Sequence, residues 1–164
     1  MRPFGARRAL ANPCRRVTSI LMTDTHPILG VSACLFRAGK VLLVERRAAP
    51  YAGLLSLPGG SLNFGERLEA AVRREVLEET GLDLPHYPFF CLHEVVEPDF
   101  HAVIAVHRGA REIPVGQDPV AGDDALACRF VEVAELEALA EQQKLTPGLR
   151  AIVESAHRSH LLGL

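Results

Sequence analysis

The sequence predicts an α/β or α+β domain built around a mixed β-sheet. Three observations lead to this class. Segments typical of strands outnumber segments typical of helices, a Gly-rich loop leads directly into a helix-like segment, and no interval of the chain repeats itself. At 164 residues, the chain is long enough for one domain with a sizeable core and too short for two ordinary ones.

The first predicted elements form a β-hairpin. Residues 28–36 and 41–44 are apolar or β-branched runs, and the turn-like segment 37–40 separates them. Residues 56–65 carry Pro58 and three glycines and predict a loop.

A helix is predicted over residues 66–80, which contain neither Pro nor Gly. Asn63 and Glu66 are spaced as in a capping box, and Gly81 stands where a helix C-cap is expected. Further strands are predicted at 91–96, 102–107 and 127–133, followed by helices at 134–142 and 147–160.

Charge and hydropathy exclude several classes of function. The net charge is -2, from 18 basic and 20 acidic residues, so nucleic acid is not expected as a partner. No apolar run approaches the 18 or so residues that a membrane-spanning helix needs, so no membrane partner is expected either.

The first 25 residues differ from the rest of the chain. They carry five arginines and no acidic residue before Asp24, and Met22 begins a fresh segment. Residues 1–25 are therefore predicted to be a disordered extension, or a segment ahead of a natural start at Met22. Residues 26–164 are predicted to form the single domain.

The four cysteines predict neither a metal site nor a disulfide framework. They are widely separated and include no Cys-x-x-Cys pair, so we expect small buried hydrophobic residues in a reducing compartment. A cytoplasmic location follows as an expectation. The cysteines are Cys14, Cys34, Cys91 and Cys128.

Three carboxylates share one face of the predicted helix. At 100° per residue, Glu75, Glu78 and Glu79 fall within an arc of about 100°. Like charges at this spacing destabilise a helix, so the arrangement favours a cation, and hard oxygen ligands select Mg²⁺ or Mn²⁺. The alternative is a solvated acidic face on which Arg74 pairs with Glu78.

The loop before the helix favours the metal-site interpretation, because Gly59 and Gly60 bring bare backbone towards the acidic face. From Gly60 to Leu82 the sequence resembles the Nudix box, Gly-x5-Glu-x7-Arg-Glu-U-x-Glu-Glu-x-Gly-U, where U is apolar. The matching residues are Gly60, Glu66, Arg74, Glu75, Val76, Glu78, Glu79, Gly81 and Leu82.

The resemblance implies an α/β/α sandwich with a mixed sheet, spanning Ile28 to about His160. It also implies hydrolysis of a nucleoside diphosphate linked to another group. By position, Glu75, Glu78 and Glu79 would hold the divalent ions, with the carbonyl of Gly59 or Gly60 as a further ligand. Glu66 would then cap the helix and Arg74 would orient the carboxylates.

The resemblance leaves the general base open between Glu75 and an acid on a later loop. Asp123 and Asp124 are the candidates there, with Asp124 the preferred one, and a surface turn is the alternative interpretation. Arg46 and Arg47 follow the second predicted strand. They are candidates to bind a diphosphate, although ordinary edge-strand charges explain them equally well.

Other side chains carry weaker expectations. The histidines at 93, 101 and 107 are expected to face solvent, because no carboxylate is paired with them at a metal-ligand spacing. The aromatic residues available for stacking on a base are Tyr51, Phe64, Tyr87 and Phe100, and a place in the core is the more natural role for Phe64.

Two classes of function compete: a Mg²⁺-dependent hydrolase and a nucleotide-binding sensor domain. The hydrolase is favoured because every acid of the box is present. ADP-ribose, cleaved to AMP and ribose 5-phosphate, is the expected substrate, since Pro98 lies 16 residues beyond Leu82, near the position of a proline in ADP-ribose hydrolases of the family. A (d)NTP or modified nucleotide is the alternative. NADH is disfavoured because Trp is absent, and a homodimer is left open.

Overall fold

A computed structural model describes residues 26–122 and 125–162 of the chain. The predictions for residues 1–25 and for Asp123 and Asp124 therefore lie outside the described residues. Within the described ranges, no helix is long and apolar enough to cross a membrane.

Eight strands, three α-helices and one 3₁₀ turn are formed by the described residues. In chain order they are β1 (Ile28–Cys34), β2 (Phe36–Arg37), β3 (Lys40–Arg46), β4 (Leu55–Ser56), β5 (Gly59–Ser61), α1 (Leu68–Thr80), β6 (Phe89–Glu97), β7 (Phe100–Arg108), β8 (Ala125–Glu132), the 3₁₀ turn Val133–Glu135, α2 (Leu136–Glu141) and α3 (Leu149–Leu161).

Two four-stranded sheets form the centre of the described domain. The first has the order β5-β1-β7-β6, and within it only β1 and β7 run parallel. In the second, β3 pairs antiparallel with β2, β4 and β8. The first sheet is therefore mixed, as predicted.

Helices pack against the sheets from two sides. In one buried cluster, Val72 and Val76 of α1 lie against Val31 and Leu42. In the other, α3 contributes Val153 and Ala156, which lie beside Leu43, Leu55 and Val106. Each helix thus buries one apolar face on the sheets, which confirms the predicted α/β/α arrangement.

The predicted hairpin is much shorter than expected, because the chain changes sheets at Leu35. Strand β1 pairs with β5 and β7, and only the two residues of β2 pair with β3. Leu35 and its neighbours on both strands are buried. An uninterrupted apolar run carries no alternation that could mark where a strand leaves one sheet for the other.

The predicted loop 56–65 contains a strand. Gly59–Ser61 forms β5, which pairs antiparallel with β1, so that Gly30 lies opposite Ser61 and Ser32 lies opposite Gly59. A Cβ atom at Gly59 would overlap the carbonyl oxygen of Val31. The glycine that lowers strand propensity is therefore the residue that permits this close pairing.

Helix α1 begins at Leu68, two residues later than predicted. Its N-cap is Arg67, which makes no side-chain capping bond. The contact between Asn63 and Glu66 that a capping box predicts is present, but in the turn before the helix, where the Asn63 N–H donates to Glu66 Oε2 at 3.2 Å. The C-cap prediction is confirmed, because Gly81 has a φ of 68° and its N–H donates to the Leu77 carbonyl.

The strands and helices of the carboxyl-terminal half are confirmed with shifted ends. Strands β6 and β7 extend one or two residues beyond the predicted limits, and β8 begins two residues earlier and ends at Glu132. The predicted helix 134–142 divides into the 3₁₀ turn and the short α2. Element type followed from the sequence pattern here, whereas the ends depend on packing.

Three side-chain expectations were wrong. Phe64 is fully exposed, because it lies in the turn ahead of α1 and not in the core. His107 is buried, and its Nδ1 contacts the Tyr87 carbonyl at 2.7 Å, which supplies a hydrogen bond that solvent would otherwise provide. Tyr87 is itself buried and is not available to stack on a base.

The cysteine prediction holds for Cys34 and in part for two others. Cys34 is fully buried, and burial raises the pKa of its thiol, as expected of an inert hydrophobic residue. Cys91 and Cys128 are half-buried, and burial raises their pKa values as well. Cys14 lies outside the described residues.

Candidate active site

Strand β5 and helix α1 are joined by a buried carboxylate. Glu79 is only 8% exposed, and its Oε2 accepts a hydrogen bond from the Gly59 N–H at 2.8 Å. A carboxylate this deeply buried needs such donors to offset its desolvation. This bond sets the distance between the glycine strand and the acidic face of the helix.

Arg74 contacts the three remaining glutamates of the box. Its Nε and Nη2 both lie 2.9 Å from the carboxylate of Glu66, and its Nη1 lies 2.7 Å from Glu75 Oε1 and 3.2 Å from Glu78 Oε2. Nη2 also donates to the carbonyl of Ser61 in β5. The guanidinium therefore holds three carboxylates and strand β5 together. The Arg74–Glu78 pair, which was the alternative interpretation of the acidic face, is among these contacts.

These contacts shift the pKa values of the cluster in different directions. Hydrogen bonds from Arg74 lower the pKa of Glu66 to about 2, and those same contacts raise the pKa of Arg74. Burial raises the pKa of Glu75, although Arg74 opposes that change. The carboxylates of the cluster are therefore not equivalent.

Gly60 lies directly against Glu75. A Cβ atom at Gly60 would overlap both the carboxylate carbon and the carboxylate oxygens of Glu75. A larger residue at this point would require the Glu75 carboxylate to move, so glycine permits the close approach of backbone and carboxylate.

A cleft of about 320 Å³ opens beside β5. Its walls come from β1, β6 and β7, from the loop after β3 and from the start of α3, and they are mainly apolar. Representative lining residues are Gly59, Gly60, His93, Ile104, Leu149 and Ile152. Gly59 and Gly60 line the cleft and also contact Glu79 and Glu75, so the acidic cluster lies next to the cleft across β5, although no box glutamate lines the cleft itself.

The two arginines after β3 are placed differently. Arg46 lines the cleft, and its Nε donates to the Pro50 carbonyl at 3.2 Å. Arg47 does not line the cleft, because its Nη2 is turned towards the Ala125 carbonyl at 3.4 Å. Of the two candidate diphosphate ligands, the structure brings only Arg46 to the site.

Sequence reasoning missed much of the cleft wall. His93 was expected to face solvent, yet it lines the cleft together with Val95, while Leu92 and Glu94 of the same strand are exposed. The alternation along β6 was the available signal, but it does not say which face of the strand meets a ligand. Tyr51 and Phe100, named as base-stacking candidates, both line the cleft.

Asp124 lies outside the described residues, but the segment before it is anchored. The Gly122 N–H donates to the Glu79 carbonyl at 3.0 Å, and a Cβ at Gly122 would overlap the Glu78 carbonyl oxygen. This contact joins the end of the segment to the turn of α1 that carries two box glutamates.

Comparison with known proteins agrees with this geometry. The sequence profile of the NUDIX domain matches residues 26–154, which is most of the chain. The chain belongs to the NUDIX family. It is therefore a NUDIX hydrolase, a class of enzymes that cleave pyrophosphate linkages and generally depend on a divalent metal.

Individual NUDIX relatives carry different names. The chain is 31% identical over 115 residues to an ADP-ribose pyrophosphatase of Methanocaldococcus jannaschii, covering 70% of this chain and 68% of the relative. It is 38% identical over 65 residues to an 8-oxo-dGTP diphosphatase of Escherichia coli, covering 38% of this chain and half of that protein. A solved MutT NUDIX hydrolase from Burkholderia pseudomallei is 29% identical with a TM-score of 0.68, covering 79% of this chain and 97% of that one.

The residues of the NUDIX box have the donor atoms that suit a divalent cation, but their side chains are not arranged as a ligand set in this structure. Carboxylate and carbonyl oxygens are the donors that Mg²⁺ and Mn²⁺ prefer. Yet Glu75 and Glu78 are turned to Arg74, and within residues 26–122 and 125–162 no three acidic, His or Cys side chains are arranged as a ligand set. Each of these two carboxylates contacts Arg74 through a single oxygen, Oε1 of Glu75 and Oε2 of Glu78, so the second oxygen of each would be the one to contact a cation.

The pKa of Glu66 gives a testable pH dependence of stability. A carboxyl whose folded-state pKa is lowered from 4.5 to about 2 contributes stability that is present above pH 4.5 and lost as the pH falls towards 2. We therefore expect Glu66→Gln to lower the free energy of unfolding at pH 7, and the difference from wild type to shrink between pH 4.5 and pH 2. Urea unfolding across this range measures it.

Glu141→Gln is the control for the Glu66 measurement, because Glu141 is an exposed residue at the end of α2. Its difference from wild type is expected to stay within about 0.5 kcal/mol throughout. A Glu66→Gln difference that is equally large at pH 7 and pH 2.5 would contradict the assigned ion pair.

Proposed function

We propose that this NUDIX hydrolase cleaves ADP-ribose to AMP and ribose 5-phosphate. The observation that carries the proposal is the position of an apolar cleft next to an acidic cluster, with Gly59 and Gly60 between them. A cleft of about 320 Å³ is at the small end of the range for nucleotide-sized ligands, and its apolar walls suit a nucleoside. The name of the Methanocaldococcus relative supports the same substrate.

The proposed reaction is hydrolysis of one phosphoanhydride bond. The oxygen of a water molecule forms a bond to one phosphorus, the bridging P–O bond breaks, and the bridging oxygen leaves with the other phosphate. A divalent cation, when bound, neutralises the diphosphate charge and makes water a better nucleophile. Mg²⁺ is the proposed ion, with Mn²⁺ as the alternative.

The roles proposed for the protein's residues follow from their contacts. Glu75, Glu78 and Glu79 are the proposed metal ligands, together with the backbone carbonyl of Gly60, and Glu79 is held in place by the Gly59 N–H. Arg74 keeps Glu75 and Glu78 near each other and is the proposed positioning residue.

Glu75 and Asp124 remain the two proposed candidates for accepting the proton of the attacking water. Burial raises the pKa of Glu75, which would make its carboxylate a better base. Arg46, which lines the cleft, is the proposed diphosphate contact.

A modified nucleoside triphosphate is the second candidate substrate, supported by the similarity to the Escherichia coli 8-oxo-dGTP diphosphatase. That similarity spans 38% of this chain, whereas the one to the ADP-ribose pyrophosphatase spans 70%. The longer similarity is the reason for placing ADP-ribose ahead of the triphosphate.

A kinetic screen tests the proposal. Purified protein is assayed with Mg²⁺ and with Mn²⁺ against ADP-ribose, NADH, nucleotide sugars, diadenosine polyphosphates and the (d)NTPs including 8-oxo-dGTP, and kcat/KM is compared. We expect ADP-ribose to give the highest value, and AMP and ribose 5-phosphate to appear in equal amounts. A triphosphate that exceeds ADP-ribose tenfold, about 1.4 kcal/mol of transition-state preference, would overturn the substrate. Tight binding of ADP-ribose without turnover would favour the sensor function.

A further inference from the structure

His93 is a polar side chain of the cleft that is held by a hydrogen-bond contact. It lies on β6, where it and Val95 face the cleft. Its Nε2 is 3.0 Å from the Pro147 carbonyl oxygen. The two walls that meet here, β6 and the start of α3, are far apart in sequence and are joined by this contact.

The contact with Pro147 determines the tautomer of the neutral imidazole. A carbonyl oxygen can only accept a hydrogen bond, so Nε2 must carry the proton. Nδ1 is then an acceptor, and it has no hydrogen-bond partner among the described residues, yet it is not one of their buried unsatisfied atoms. Nδ1 is therefore an unpaired acceptor that is not sealed from solvent, on a side chain that lines the cleft.

Gly148 keeps the ring in this orientation. It has a φ of 75°, and a Cβ atom there would overlap the imidazole of His93. The ring therefore packs edge-on against bare backbone at the N-cap of α3. A side chain held from two sides, by a hydrogen bond and by a glycine, is suited to discriminate between ligands because it cannot turn to suit each of them.

The surroundings of His93 indicate what the acceptor would contact. Ile104, Leu149 and Ile152 also line the cleft, and they offer flat apolar contact of the kind that suits the faces of a purine. An acceptor placed opposite position 6 of a purine accepts a hydrogen bond from a 6-amino group and opposes a 6-oxo oxygen, because a 6-oxopurine carries its neighbouring N–H donor at N1 instead.

We propose that His93 is a specificity-determining residue that selects a 6-aminopurine over a 6-oxopurine through its Nδ1. The inference rests on the proposed function, because it assumes that the cleft holds the nucleoside. It goes further by naming the chemical feature of the base that is recognised and the atom that recognises it.

The test compares two substrates that differ only at one edge of the base. ADP-ribose carries a 6-amino group beside an unprotonated N1, and inosine diphosphate ribose carries a 6-oxo group beside an N1–H. We expect wild type to favour ADP-ribose about tenfold or more in kcat/KM, and His93→Phe to reduce this ratio to about twofold or less. His93→Gln can donate to Pro147 and still present an amide oxygen, so it is expected to keep part of the preference.

The control is His101→Phe, the same change on the neighbouring strand β7. His101 pairs with Glu94 at 2.9 Å and does not line the cleft, so its ratio should equal that of wild type. Thermal melting of each variant identifies loss of fold. If His93→Phe fails to fold, the test rests on the ratio of kcat/KM for the two substrates in wild type and in His93→Gln.

A binding measurement separates this inference from the proposed reaction. Titration calorimetry with AMP and with IMP, in EDTA, gives the same comparison without turnover. A wild-type Kd ratio that favours AMP and collapses in His93→Phe supports the inference even if ADP-ribose is not hydrolysed. Hydrolysis of ADP-ribose with equal use of the inosine analogue, or a preference that survives in His93→Phe, overturns the inference and leaves the proposed function standing.

Discussion

Glu79→Gln is expected to reduce kcat by roughly 10³-fold or more while the protein remains folded. The amide oxygen of glutamine can still accept the hydrogen bond from the Gly59 N–H, so the contact between α1 and β5 is retained. The substitution removes a negative charge from the proposed cation site, and with it the part of the cation affinity that depends on that charge. Steady-state rates with Mg²⁺ and Mn²⁺, together with the melting temperature, measure both effects.

The matched control is Glu69→Gln, which makes the same chemical change on the same helix. Glu69 lies in the first turn of α1, at a variable position of the NUDIX box, and is exposed. Its carboxylate contacts His86, a residue beyond the end of the box. Its kcat/KM is expected to stay within about twofold of wild type. Equal Mg²⁺-dependent rates for wild type and Glu79→Gln would refute the assignment of Glu79 to the metal site.

Gly60→Ala is expected to lower kcat/KM by roughly 10²-fold, because misplacing a catalytic group by about 1 Å costs this much. The added methyl group would overlap the Glu75 carboxylate, so Glu75 or the β5 backbone must move. Since β5 also pairs with β1, the carboxylate side chain is the more easily displaced of the two. The rate of ADP-ribose hydrolysis, measured across Mg²⁺ concentrations, tests the effect.

A double-mutant cycle identifies the cause of that loss. If Gly60→Ala acts by displacing the Glu75 carboxylate, it should add little to the defect of Glu75→Ala, since the overlapping group is then gone. Full additivity of the two defects would mean that the methyl group acts elsewhere, for instance on the neighbouring cleft. A Gly60→Ala variant with wild-type kinetics would contradict the close packing of Gly60 and Glu75.

The chemistry of the site could be predicted from the sequence because it is local. The box residues lie within 23 consecutive positions, from Gly60 to Leu82, most of them on one helix. Helical periodicity then places Glu75, Glu78 and Glu79 on a shared face whatever the rest of the fold does. The NUDIX family and the carboxylate cluster followed from that segment alone.

The residues that line the cleft could not be predicted from the sequence, because only the tertiary structure brings them together. The walls of the cleft come from segments more than 100 residues apart, between Ile28 and Ile152, and no local pattern relates them. The crossing of the chain at Leu35 and the glycine strand β5 were missed for a related reason, because a doubly buried run does not alternate and glycines have low strand propensity.

Tertiary structure also determined what individual side chains of the same type do. His93 lines the cleft, His107 is buried against the Tyr87 carbonyl, and His101 pairs with Glu94 at the surface. The sequence by itself determined the family and the carboxylates that share one helix face, because those depend on spacing along one helix. Only the folded chain determined which residues line the cleft, since burial and hydrogen-bond partners arise when distant strands meet.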